Sequence, residues 1–183
     1  MQTRPRPPRA RPVRARFAPR RARRARSASP GGAMQARVPM TRRVLVVPPE
    51  LSQREAWALL QRERIRHLPV AKGGLLLGIV SDRDLLLRGT RKGEGVALPD
   101  DPIAEAMTMA PFVASPDSSV DELVRVMTER KIDAIPILNA ADQLVGLVTS
   151  TDLLLLLIQL DEAKPPPFEW ELVEHAGAQA AYA

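Results

Sequence analysis

The chain repeats itself, and a repeat of this length leaves few folds open. Met40-Thr41 recurs as Met107-Thr108, an offset of 67 residues. At the same offset of 67, Val46 meets Val113, Pro49 meets Pro116, Ser52 meets Ser119, Glu55 meets Glu122 and Pro69 meets Pro136. After one inserted residue in a turn the offset becomes 68, where Gly78-Ile79-Val80-Ser81 matches Gly146-Leu147-Val148-Thr149 and Asp84 matches Asp152. So many matches in order, with a single gap, mark an internal duplication.

Each copy reads the same way locally. A short apolar strand (Val44 to Val47; Phe112 to Ala114) ends at a proline. Ser-x-x-Glu follows, at Ser52 to Glu55 and at Ser119 to Glu122. This is a capping box, in which serine and glutamate satisfy unpaired amides at a helix start. The predicted helices carry apolar residues at helical spacing: Ala56, Leu59 and Leu60, then Leu123, Val126 and Met127. A proline sits inside the next strand, in Leu68-Pro69-Val70 and Ile135-Pro136-Ile137, which predicts an edge or a bulge. Lys72-Gly73-Gly74 and Asn139 to Asp142 supply hairpin turns. The returning strands, Leu75 to Val80 and Leu144 to Val148, run into Leu-rich helices. The fold class is mixed α/β, in the α+β sense, with the order β-α-β-β-α twice.

These residues carry a resemblance. Over about residues 38 to 160 the sequence resembles the cystathionine-β-synthase (CBS) domain pair, or Bateman module. It does so through the two strand–proline motifs and the paired Gly-x-Val-(Ser/Thr)-x-x-Asp, Gly78 to Asp84 and Gly146 to Asp152. The resemblance implies two repeats packed as a pseudo-twofold disc with two clefts, and a second pairing into homodimers. It implies a regulatory adenosyl ligand (AMP, ADP, ATP or S-adenosylmethionine), no obligatory cofactor, and a role such as energy sensing. The regulated enzyme, kinase or transporter is then a separate chain.

The motif chemistry supports such a ligand. A strand turning into a helix offers free amides and the positive end of the helix dipole, which suit a phosphate. The Ser81 or Thr149 hydroxyl adds a donor there, and Asp84 or Asp152, one turn on, can accept from two ribose hydroxyls. The same spacing is also a capping box, and the two roles coexist. Adenine would lie near the strand–proline motifs, its edge read by the backbone of His67-Leu68 or Ala134-Ile135. Thr41 and Thr108 are expected at the pocket edges. Arg66 and Arg83 are candidate phosphate contacts; Asp133 and Thr151 stand in their places in the second copy. An acid repels phosphate, so the two clefts are expected to be unequal. His67 also reads as a half-buried strand residue, and His175 has no partner in sight.

Composition limits the alternatives. Aromatic residues make up only 3%, so the core must be aliphatic. With no cysteine, two distant histidines and no P-loop, neither a metal cluster nor a nucleophile–base set is visible, and no catalysis is expected. The longest apolar run, Leu153 to Ile158, is too short to span a membrane, so a cytoplasmic protein is expected.

Charge is segregated along the chain. Residues 1–39 hold twelve arginines and no acid, while the rest hold the other 15 basic residues and all 21 acids, a net of −6. The Arg/Pro-rich stretch 1–39 is expected to be disordered. It reads as a nucleic-acid-binding arm, an organellar transit peptide, or a segment that is inert or precedes a start at Met34 or Met40. Repeat 1 with its linker is assigned to residues 40–100, repeat 2 to 101–160, and a C-terminal tail to 161–183, where Phe168 to Val173 could form a strand or docking segment. A ligand-free scaffold or dimerisation module is the alternative to ligand binding.

Overall fold

The computed structural model describes residues 23–24, 33–93 and 95–161. In chain order the first half holds β1 (Arg23–Arg24), α1 (Gln53–Glu63), β2 (His67–Lys72), β3 (Leu75–Ser81), α2 (Asp82–Arg88), β4 (Thr90–Lys92) and β5 (Gly95–Ala97). A 3-10 turn at Ile103–Glu105 leads to β6 (Thr108–Met109), β7 (Phe112–Val113), α3 (Val120–Arg130), β8 (Ala134–Leu138), β9 (Leu144–Thr149) and α4 (Ser150–Asp161). From the first helix onward the expected α-β-β-α order is present in both copies, with the extra β4–β5 hairpin in the linker.

Local chemistry explains the elements. The Ser52 hydroxyl accepts from the Glu55 amide at 3.2 Å, and the Glu55 carboxylate accepts from the Ser52 amide at 3.1 Å, which closes the box on α1. Ser119 caps α3, accepting from the Glu122 amide at 3.2 Å. Both helices bury the residues their spacing picks out: Ala56, Leu59 and Leu60 on α1, and Leu123, Val126 and Met127 on α3. Gly73 and Gly74, at φ 58° and 76°, make the β2–β3 turn, whose backbone a side chain would strain.

The prolines resolve as bulges. β2–β3 and β8–β9 are antiparallel hairpins whose register shifts just past each proline, between Val70 and Ala71 and between Ile137 and Leu138. Neither proline strand is an edge, because Val47 bonds to Pro69 O and Ala71 N, and Ala114 to Pro136 O and Leu138 N. Val44 to Val47, predicted as a strand, is reduced to one bridge, Val47 with Val70, and the segment that leads into it bridges at Thr41 with Leu147. The two ends of residues 41–47 belong to different sheets, so the middle can pair with neither.

That crossing exposes the organising feature, an exchange between the repeats. The Met-Thr segment that leads into each repeat pairs with the hairpin of the other. Thr41 exchanges backbone bonds with Leu147 at 3.0 and 2.9 Å, and Thr108 and Met109 pair with Ile79 and Gly78. The residues just before follow suit. Ala36 N bonds to Ser118 O and Arg37 N to Pro116 O, while Ile103 N bonds to Leu51 O and Ala104 N to Pro49 O. Met107, Ile103 and Leu98 therefore complete the core of repeat 1, and Met40 and Ala36 complete that of repeat 2. A third cluster joins the two sheets, with Val113, Leu138 and Leu144 meeting Val44, Val46 and Leu76.

This moves part of the expected tail. Residues 33–39, assigned to the disordered stretch by composition, pack on repeat 2, with Ala36 fully buried. Arg23–Arg24 pair in parallel with Phe112–Val113. The rest of the arginine-rich stretch, and the segment from Phe168 to Val173, lie outside the described residues.

The exchange also explains two matched glycines. A Cβ on Gly78 would sit 2.7 Å from Thr108 O and 2.7 Å from Met107 Sδ. On Gly146 it would lie 2.9 Å from Thr41 O and overlap the Met40 side chain. A methionine can move but a paired carbonyl cannot. Gly78→Ala and Gly146→Ala should each cost about 1–3 kcal/mol by overpacking. Urea denaturation checks this as a lowered midpoint with an unchanged slope.

Candidate functional site

The crossing segment opens a gap between the repeats. Because residues 41–47 pair with β9 at one end and β2 at the other, their middle stands away from both strands. A cleft of about 160 Å³ lies there. Thr41, Val44 and Leu45 form one side, and Ile65, Arg66 and His67 lead into β2 on another. Leu147, Thr149, Ser150, Thr151 and Asp152, from the end of β9 and the start of α4, supply a third.

Asp152 is held from both repeats. Its Oδ2 accepts from the Thr149 amide at 2.6 Å and the Thr149 hydroxyl at 2.6 Å, the capping arrangement the spacing predicts. Its Oδ1 accepts from the Thr41 hydroxyl at 3.0 Å, across 111 residues of sequence. The carboxylate is thus fixed at the cleft wall, where the α4 dipole favours its charge. In the other copy Ser81 and Asp84 make the same cap, with Asp84 Oδ2 accepting from the Ser81 amide at 2.8 Å and its hydroxyl at 2.7 Å.

Of the residues singled out by sequence, Thr41, Arg66, His67, Thr149, Thr151 and Asp152 come together in this cleft. Ser81, Arg83, Asp84 and Thr108 stand at the internally related position, at the end of β3, on α2 and on β6. The side chains of Leu68 and Ile135 are fully buried in separate cores, and Ala134 is buried too, so only their backbones remain available to a ligand. Arg64 and Ser150 line the cleft and were not found by sequence reasoning.

One expectation about the clefts needs correcting. Arg66 and Asp133 were expected to distinguish two clefts, but both line this one. Residues just ahead of β2 and β8 lie near the internal axis, where both copies converge. A difference between the copies does exist in the first helical turns, where Ser150 of α4 corresponds to Asp82 of α2. Asp82 Oδ2 also lies 3.4 Å from Arg66 Nε, an ion pair at the solvent-exposed side of that guanidinium.

Burial pushes the His67 pKa below the ordinary histidine value, and Arg66 adds to the shift; Asp82, Asp133 and Asp84 oppose it. His67 therefore presents a neutral imidazole at neutral pH. Among the described residues no cluster of His, Cys, Asp or Glu could hold a metal ion, and no helix is long and apolar enough to cross a membrane.

Comparison with known proteins places this geometry. The sequence model described as the CBS domain matches residues 36–89 and 101–159. The chain is 31% identical over 114 residues to the CBS domain-containing protein YhcV of Bacillus subtilis, covering 62% of this chain and 79% of that one. It spans only about a fifth of the inosine-5′-monophosphate dehydrogenases that it also matches. Among solved structures, CBSX2 of Arabidopsis thaliana in complex with AMP superposes with a TM-score of 0.63 at 24% identity, covering 70% of this chain and 99% of that one. The CBS domain pair of protein MJ0100, in complex with 5′-methylthioadenosine and S-adenosyl-L-methionine, does so with a TM-score of 0.58 at 25% identity, covering 68% and 99%.

The lowered His67 pKa sets a pH dependence. Unfolding frees the imidazole to bind a proton, so stability should fall as pH drops below about 6.5, the unfolded value, and level off below the folded one. His67→Gln should remove that component. Urea midpoints between pH 5 and 7.5 for both chains are the check.

Proposed function

The chain belongs to the CBS-domain family as a tandem pair, and we propose that it is a non-catalytic regulatory module whose inter-repeat cleft binds an adenosyl nucleotide. The observation that carries this reading is Asp152, an anionic acceptor fixed on the cleft wall by Thr149 and Thr41. Ribose hydroxyls bond to its carboxylate, adenine lies against Val44, Ile65 and Leu147, and a phosphate meets the first amides of α4 with the Ser150 and Thr151 hydroxyls. The adenosyl ligands of the MJ0100 pair support the ligand class. Thr41 leads into repeat 1 and Asp152 belongs to repeat 2. A ligand that competes for this carboxylate therefore changes a bond between the repeats, which gives binding a route to a separate partner enzyme, kinase or transporter.

The same reading includes a homodimer. α2 leaves Leu86 and Leu87 exposed, and α4 leaves Leu154, Leu157, Ile158 and Leu160 exposed by 49–63%. The internal twofold relates the two helices, so their apolar stripes suit an isologous contact with a second copy. Replacing Leu154 and Leu157 together by Glu should convert a dimer into a monomer in light scattering. A wild-type chain already monomeric at high concentration would exclude this pairing.

The ligand test is a calorimetric titration of the full-length chain with AMP, ADP, ATP and S-adenosylmethionine. Saturable binding by at least one is expected. Asp152→Ala should weaken it roughly ten- to a hundredfold, the loss for charge-assisted hydrogen bonds of about 1.5–3 kcal/mol. A folded wild-type chain that binds none of the four would leave the ligand-free scaffold as the better reading.

A further inference from the structure

We propose that Arg64 makes the cleft selective for phosphorylated adenosine over cationic adenosyl ligands. This rests on the nucleotide reading and adds to it the charge of the ligand. Arg64 is the C-cap of α1 and holds a left-handed backbone, at φ 53° and ψ 35°. Glycine or asparagine is the usual occupant of that conformation, because a β-carbon crowds the following carbonyl. Lys131 holds the same strained position at the end of α3, at φ 56° and ψ 43°. Both repeats thus keep a long cation where a smaller residue would fit the backbone better.

The helix dipole alone does not account for this choice. A cation at a helix C-terminus is favourable, but Arg62 and Arg130 already fill the last turns with ordinary helical backbone. Strain retained at a cleft points to a role for the side chain itself. Arg64 lines the cleft that holds Thr149, Ser150 and Asp152.

Arg64 is also the cation of this lining that has no ion pair among the described residues. Arg66, the phosphate contact suggested by the sequence, has its Nε 3.4 Å from Asp82 Oδ2. Arg64 has no ion-pair partner among the described residues, and His67 is held neutral by its burial. A guanidinium with no ion-pair partner among the described residues attracts a phosphate and repels a sulfonium.

Arg64→Gly and Arg64→Asn both suit the left-handed backbone, so the fold should be kept and Arg64→Gly should raise the melting temperature by roughly 2–6 °C. Calorimetric titrations of these full-length variants and the wild type with adenosine, ADP and S-adenosylmethionine form the test. ADP should bind about tenfold more weakly to both variants, the effect of one lost charged contact. Adenosine should change less than about twofold, and S-adenosylmethionine should bind as well or better. ADP affinity equal to wild type, or an equal loss for adenosine and ADP, overturns the role of Arg64 and leaves nucleotide binding intact. A wild-type chain that binds none of the three removes the nucleotide reading and this proposal together.

Discussion

Two methionines laid across two glycines hold this fold together. Met40 lies over Gly146 and Met107 over Gly78, and in each case the following threonine pairs with the neighbouring hairpin. The contact is close because glycine leaves the backbone bare. Each methionine thereby fills the core of the opposite repeat, with Leu98 and Ile103 alongside one and Ala36 alongside the other. Neither repeat has a complete core in its own stretch of sequence. Burying a side chain of that size contributes about 1.5–3 kcal/mol, so separating the repeats would expose several such groups on each side.

The cleft is a consequence of this exchange. A segment that starts on β9 and ends on β2 has to leave one sheet before it reaches the other, and the space beside it is bounded by both repeats. Proline at position 69 fits the same geometry. Its carbonyl serves Val47, while its missing N–H asks for no partner where the crossing segment has not yet reached β2. The bulge just beyond, between Val70 and Ala71, restores the pairing of β2 with β3. Packing, pairing and site therefore derive from one crossing, made once by each repeat.

Much of this was legible in the sequence because it is periodic. The offset of 67 gave the duplication, the Ser-x-x-Glu motifs at Ser52 and Ser119 gave the helix starts, and the strand–proline motifs gave the bulges. The exchange was not legible, because an offset relates equivalent positions without saying which copy a segment packs on. Residues 33–39 were accordingly assigned to a tail, although their internal counterparts at 100–106 were visible. The same gap misplaced Asp133. Equivalence to Arg66 suggested opposite clefts, whereas proximity to the internal axis brings both residues to one. Arg64 escaped notice because a basic residue at a helix end looks ordinary until its backbone angles are known.

Duplication also accounts for how the two copies could diverge. The caps at Ser81–Asp84 and Thr149–Asp152 share their hydrogen bonds, so helix initiation constrains both equally. The residue that follows the cap is not constrained by it, and there the copies part: Asp82 in one, Ser150 in the other. An acid at that place favours the helix dipole and disfavours an anionic ligand at the same amides. It also pairs with Arg66, drawing a cation toward the first copy's helix start. One helix start is thereby tuned for stability, while the other keeps its amides beside two hydroxyls and a carboxylate shared between the repeats. A duplicated scaffold can specialise in this way because the exchange, and not the helix start, is what keeps the two halves together.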